Sequence, residues 1–216
     1  MDAKRIVPVL RVIAGQAPSD GACRLELEGA DGILFQDAGP ASLRAEWIRA
    51  VAGSLSIPFV VEAPFQGFAE LEEVLEAGAD KVILPAGPSL EAQLAAAVRA
   101  FGRSRVGVAV NAVLSVDGHW LADPEGLGAL AWMAGLEQIG CGEILLRATP
   151  GGTDSAALIQ KAAQLSLSVL VLCPGGDALA ADALLHGADG LAVADPARSP
   201  RQWKQALAVR GLAFRD

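Results

Sequence analysis

A chain of 216 residues with 52% hydrophobic and 19% charged residues carries enough apolar material for one continuous core and argues against disorder. Its formal charge of -8 argues against a nucleic-acid partner, because neutralising phosphates needs clustered Lys and Arg. Cys23, Cys141 and Cys173 lack metal-ligand spacing and only two histidines occur, His119 and His186, so no metal or cofactor is expected, and the thiols fit a reducing cytoplasm.

The start, Met1-Asp2-Ala3-Lys4-Arg5, has no long apolar leader, and no run approaches the roughly 18 apolar residues of a membrane span. From there, short apolar runs read as strands at Arg5–Val12, Asp31–Asp37, Pro58–Glu62, Lys81–Leu84, Arg105–Asn111, Glu143–Arg147, Ser168–Cys173 and Gly190–Ala194. The intervals hold Ala/Leu/Glu-rich stretches of helical length. A short one lies near Asp20–Glu28, followed by Leu43–Ala52, Ala69–Ala77, Leu90–Phe101, Gly128–Ile139, Ser155–Leu165, Ala178–His186 and Pro200–Val209. Strand–helix alternation is the rhythm of a parallel sheet, shared by doubly wound sheets and barrels. Ala112–Leu121 breaks it, with Asp117-Gly118 between apolar residues, and reads as a small hairpin over one end of the sheet.

A short signature recurs at helix ends: Gly29-Ala30-Asp31, Gly78-Ala79-Asp80, Gly140-Cys141-Gly142 and Gly187-Ala188-Asp189. Glycine tolerates the left-handed turn that ends a helix. The first and third copies, and the second and fourth, lie about half the chain apart. With eight strand–helix units, that repeat favours a single-domain (β/α)8 TIM barrel of two similar half-barrels over residues 1–216.

Several segments then carry a family likeness. Ala3-Lys4-Arg5-Ile6-Val7-Pro8-Val9-Leu10, Gly78-Ala79-Asp80-Lys81-Val82, Gly142-Glu143-Ile144-Leu145-Leu146, the hairpin stretch Val108–Gly118 and the terminal Gly187-Ala188-Asp189 resemble the cyclase subunit of imidazole glycerol phosphate synthase. That histidine-biosynthesis barrel closes the imidazole ring with ammonia from a glutaminase partner. The resemblance implies catalytic aspartates at the ends of the first and fifth strands, where this chain has Arg11 and Asn111. An amide cannot exchange a proton and a guanidinium stays charged, so the acid–base pair is replaced. The long loop expected after the first strand is reduced to Ile13–Ser19.

The family ligand carries two phosphates, held by glycine-rich turns. Here Glu62-Ala63-Pro64 replaces a triple-glycine turn, and Asp195 followed by Pro196 replaces a serine. Gly175-Gly176 is followed by Asp177, and Pro85-Ala86 replace polar side chains. Proline offers no N–H and carboxylates repel phosphate. At the barrel floor, the family's charged gate is matched by Arg5, Lys81 and Glu143, with Gly32 in place of its fourth member, an acid; Asp80 matches a residue of the glutaminase interface.

Two readings of each end stay open. At the mouth, Arg11, Asp37, Glu62, Asn111, Arg147 and Asp195 form either a self-neutralising plug or a new pocket in which Arg11 and Arg147 clamp a small anionic metabolite. At the floor, Arg5, Lys81 and Glu143 form either a structural ion network or a gate for a glutaminase-type partner. Cys173 reads as a small rim residue rather than a nucleophile, and Gly151-Gly152-Thr153 as a helix cap rather than an anion turn. The expected protein is a divergent cyclase-subunit barrel without the ancestral activity, acting by partner or metabolite binding; the alternative is an active or repurposed lyase.

Overall fold

The computed structural model describes residues 3–13, 18–39, 44–87, 90–123, 126–148 and 154–214. Its apolar runs form β1 (Arg5–Val12), β2 (Ile33–Asp37), β3 (Phe59–Glu62), β4 (Lys81–Leu84), β5 (Val106–Leu114), β6 (Trp120–Asp123), β7 (Leu127–Gly128), β8 (Glu143–Ala148), β9 (Ser168–Cys173) and β10 (Gly190–Val193). The helices are α1 (Ser19–Leu27), α2 (Arg44–Ala52), α3 (Phe68–Glu76), α4 (Leu90–Phe101), α5 (Ala129–Ile139), α6 (Asp154–Ala162), α7 (Asp177–Leu185) and α8 (Pro200–Ala208). Parallel pairing runs β1-β2-β3-β4-β5-β8-β9-β10 and returns to β1, which closes an eight-stranded barrel inside the helices. The expected (β/α)8 architecture is the observed one. No helix among the described residues is long and apolar enough to cross a membrane.

Closure fixes which side chains face inward. Strand side chains alternate, so one residue from each barrel strand meets at mid-height: Val7, Leu34, Val60, Ile83, Ala109, Leu145, Leu170 and Ala192. This aliphatic layer separates the two ends of the barrel. The outward-facing residues, such as Phe35, Ile144 and Leu191, join the larger core under the helices. Phe35 there packs on Trp47 and Phe59, with centroids 5.2 and 5.7 Å apart.

The repeated signature has a physical cause. Gly78 and Gly187 have φ of +119° and +111°, and an added Cβ would lie 2.6 Å from Ala52 Cβ and 2.7 Å from Ala163 Cβ. Backbone and packing therefore select glycine at matching places in the two half-barrels. The aspartates then take up a backbone donor at the head of the preceding strand. Asp31 Oδ2 accepts from Ile6 N (2.8 Å), Asp80 Oδ2 from Phe59 N (2.9 Å) and Asp189 Oδ2 from Val169 N (2.7 Å). At the third copy the Arg103 carbonyl lies only 1.9 Å from where a Cβ on Gly142 would be, leaving no room for a side chain.

Some boundaries differ from expectation. Asp31 precedes β2 because its side chain caps the ladder rather than joining it. β5 continues to Leu114 and pairs antiparallel with β6, Asn111 facing Asp123 and Leu114 facing Trp120. The resulting hairpin packs beside α5 and α6, around a cavity of about 530 Å³ lined by Trp120, Leu130 and Leu158. β6 pairs with the end of β5 beyond the stretch that pairs with β4, and β7 pairs with β6.

Replacing Asp189 with Ala should strand Val169 N–H and cost about 1–2 kcal/mol, lowering the melting temperature by roughly 3–6 °C. Asp189→Asn, which keeps an acceptor, should lose less than half of that. Thermal melting followed by circular dichroism checks this, and equal melting of all three proteins would contradict the capping role.

Candidate functional site

The alternation that builds the aliphatic layer places polar groups directly below and above it. Below lie Arg5, Lys81, Glu143 and Ser168, each two residues before a layer member. Glu143 is almost fully buried, and both of its oxygens are used: Lys81 Nζ lies 2.9 Å from Oε1 and Arg5 Nη2 lies 3.0 Å from Oε2. Arg5 Nη2 also donates to Ser168 Oγ at 2.8 Å. Burial alone would raise the Glu143 carboxyl, but the charges and hydrogen bonds of Lys81 and Arg5 outweigh it and hold the group below the usual range. The inward position on the β2 side is Gly32, whose added Cβ would sit 3.0 Å from the Pro58 carbonyl. Below the ring opens a cavity of about 800 Å³ lined by Lys4, Gly32, Asp80, Lys81 and Ser168. Asp80 stands at its rim with its carboxylate on Phe59 N.

Above the layer, the inward residues are Arg11, Gln36, Glu62, Asn111 and Arg147. The sheet registers Arg11 beside Gln36, Gln36 beside Glu62, and Asn111 beside Arg147. Arg147 Nη2 bonds both oxygens of Glu62, and Gln36 Nε2 donates to Glu62 Oε2 at 3.0 Å. Arg147 Nη1 makes a long contact to Asn111 Oδ1, 3.5 Å. The structure thus joins three expected mouth residues, Glu62, Asn111 and Arg147, into one network across the barrel end. Gln36 completes it, and parity was the signal that could have found it, since it stands two residues beyond Leu34.

The other three behave differently. Asp37 is out of phase with the lumen: Oδ2 accepts from Arg44 Nε at 2.7 Å and Oδ1 from Gly39 N at 2.7 Å. Arg44, 2% exposed, also bonds Glu70 and lies 5.5 Å over the Phe65 ring. This buried Asp37–Arg44–Glu70 triad ties α2 and α3 to the β2 end. Asp195 accepts from Ala197 N at 3.0 Å and makes no ion pair among the described residues. Arg11 is exposed and has no ion-pair or hydrogen-bond partner among the described residues. It borders two cavities, one of about 450 Å³ with Gln36, Glu62, Pro64 and Pro85, the other of about 740 Å³ with Arg24, Asp195 and Gln202. The mouth is therefore half plug and half pocket, with Arg147 neutralised and Arg11 unpaired among the described residues.

Of the remaining expected residues, Cys173 is buried, its thiol pushed up by burial, and Sγ donates to the Gly175 carbonyl at 3.6 Å. Cys141 is likewise buried and pushed up to about 11. His119 is exposed on the hairpin, and His186 ends α7 with Nδ1 2.8 Å from the Asp182 carbonyl. No group of three His, Cys, Asp or Glu among the described residues could hold a metal ion. Gly151-Gly152-Thr153 lie outside the described residues.

Glu143→Gln should cost about 3 kcal/mol at neutral pH, because two cations then share a neutral acceptor, and lower the melting temperature by roughly 6–12 °C. A carboxyl depressed by folding stabilises above its unfolded value, about 4.3, and loses that contribution as pH falls through the folded value. The gap between wild type and variant should hold constant from pH 8 to pH 5 and shrink below about pH 4. Urea unfolding at each pH checks this, and a gap independent of pH down to 2 would contradict the ion network.

The family described as histidine biosynthesis protein matches residues 11–173. The imidazole glycerol phosphate synthase subunit HisF of Solibacter usitatus (strain Ellin6076) is 29% identical over an alignment of 254 positions covering 100% of this chain and 99% of that protein. The alignment is longer than this chain, so the relative holds segments that are missing here. The HisF subunits of Synechococcus sp. (strain CC9311) and Prochlorococcus marinus (strain MIT 9215) are 31% and 30% identical, over 82% and 72% of this chain and 78% and 72% of theirs. With the closed barrel and these matches together, the chain belongs to the histidine biosynthesis protein family, as a relative of the cyclase subunit of imidazole glycerol phosphate synthase.

Proposed function

We propose that this protein is a non-catalytic member of its family that binds a small metabolite at the barrel mouth and does not perform the synthase's ring closure. The observation that carries this reading is that backbone donors ahead of α8 and α3 are used within the chain. Ahead of α8, Ala197 N bonds Asp195, and Arg201 N bonds the Glu28 carbonyl. Ser199 and Gln202 cap each other's N–H groups. Pro196 and Pro200 have no N–H at all. Ahead of α3, Gln66 N bonds Glu70 at 2.7 Å. At the start of α7 stands Asp177, paired with Arg198 and held below the usual carboxylate range chiefly by the hydrogen bond from Arg198. Helix N-termini bind phosphate through free N–H groups; the start of α8 has its own hydroxyl and amide in place, and the start of α7 carries a carboxylate that repels an anion.

The acid–base positions support the same reading. Arg11 cannot give up its proton and Asn111 has none to exchange. A cytoplasmic location suits the three free cysteines. A partner subunit at the floor is the second reading, favoured by the cavity under Arg5, Lys81 and Glu143. Against it, Glu143 is already saturated and Asp80 is bound to its own backbone.

The purified protein, supplied with the synthase's bisphosphorylated substrate and ammonium, should form no cyclised product by chromatography. Arg11→Asp with Asn111→Asp should also remain inactive, because the donors ahead of α8 stay occupied. Calorimetry with the bisphosphate should show no binding tighter than about millimolar, about 4 kcal/mol. Turnover by the wild-type protein, or micromolar binding, would overturn the reading.

A further inference from the structure

One cation at the mouth, Arg11, is bound to no counter-charge among the described residues. Arg147 is spent on Glu62, Arg44 on Asp37 and Glu70, and Arg198 on Asp177. Arg11 alone among these arginines has no ion-pair partner among the described residues, and the carboxylates that share its cavity, Glu62 and Asp37, are bound to Arg147 and Arg44. Next to it on the sheet stands Gln36, and next to that Glu62, with strands spaced about 4.8 Å apart. The same cavity is walled by Val12, Ile13, Ala63, Pro64 and Pro85, which are apolar, and its two prolines bring no N–H.

We propose that this cavity binds a free amino acid with an apolar side chain, its carboxylate on Arg11, its ammonium on Glu62 and its side chain against Ile13, Pro64 and Pro85. The proposal rests on the reading of the mouth as a metabolite site and names the ligand class. A guanidinium receives a carboxylate through paired N–H donors. An ionised carboxylate has about four acceptor positions, so Glu62 keeps room for an ammonium beside Arg147 and Gln36. Other ligand classes fit less well. A phosphate dianion would meet one cation against the Glu62 and Asp37 charges. A dicarboxylate would bring its second charge toward Glu62 or Asp37 with no cation to receive it. The volume of about 450 Å³ lies in the range of small-molecule pockets.

Calorimetry and amide chemical-shift titration with L-leucine and L-phenylalanine test this. 4-Methylpentanoate and 3-methylbutylamine serve as half-ligands, and L-glutamate and inorganic phosphate represent the other classes. The two amino acids should bind, each half-ligand at least tenfold more weakly, and glutamate and phosphate not measurably. Arg11→Gln should weaken amino-acid binding at least tenfold with an unchanged melting temperature, because the side chain is exposed and unpaired. Binding that Arg11→Gln leaves intact would overturn the placement of the carboxylate. Arg11-dependent binding of phosphate or glutamate without leucine would overturn the ligand class while keeping the mouth as a binding site. Absence of every ligand would overturn both.

Discussion

The structure depends on one constraint, the two-residue alternation of strands closed into a barrel. With eight strands returning on themselves, a slip of one residue would exchange lumen and helix faces along a whole strand. The layer from Val7 to Ala192 takes one aliphatic side chain from each strand and fixes the register. Everything polar in the lumen is then confined to two rings, one below and one above. The floor holds a carboxylate between two cations; the mouth holds a carboxylate clamped by one cation, with another unpaired among the described residues.

The two rings differ in how their charges are satisfied, and this difference bears on function. A buried carboxylate is tolerable only when paired, and Glu143 uses both oxygens on Arg5 and Lys81. The floor ring is therefore complete in itself. The mouth has been altered further. Glu62 recruits Arg147 across the barrel end, Arg44 draws Asp37 and Glu70 into a buried triad, and the turn before α8 caps its own donors. At the turn before α8 these side chains occupy donors that an anion could otherwise take. Arg11 stands outside that arrangement, with no partner among the described residues and a cavity on either side.

The fold was legible in sequence because its signals are local. The bounds of β1, β4 and β9 match their apolar runs, and the Gly-Ala-Asp signature marks strand heads through one glycine clash and one aspartate hydrogen bond. The mouth was legible only in part. Glu62, Asn111 and Arg147 lie in phase with the layer and meet, whereas Asp37 ends its strand one residue out of phase and turns to Arg44. Arg44 itself gave no signal, since an arginine in the first turn of a helix reads as a solvated residue. Its partners lie 7 and 26 positions along the chain, and only the tertiary fold brings them together. The hairpin was recognised, but its direction follows from β5 continuing through Asn111 to Leu114, which no turn motif specifies.

The central claim is that the anion donors ahead of α3 and α8 are satisfied from within the chain. Its most direct measurement is a titration of the isotopically labelled protein with inorganic phosphate and with the family's bisphosphate, following the backbone amides of Gln66, Ala197, Ser199 and Gln202. The account predicts that these four resonances stay in place through millimolar ligand. Saturable shifts at Ala197, Ser199 and Gln202 in the micromolar range would contradict it.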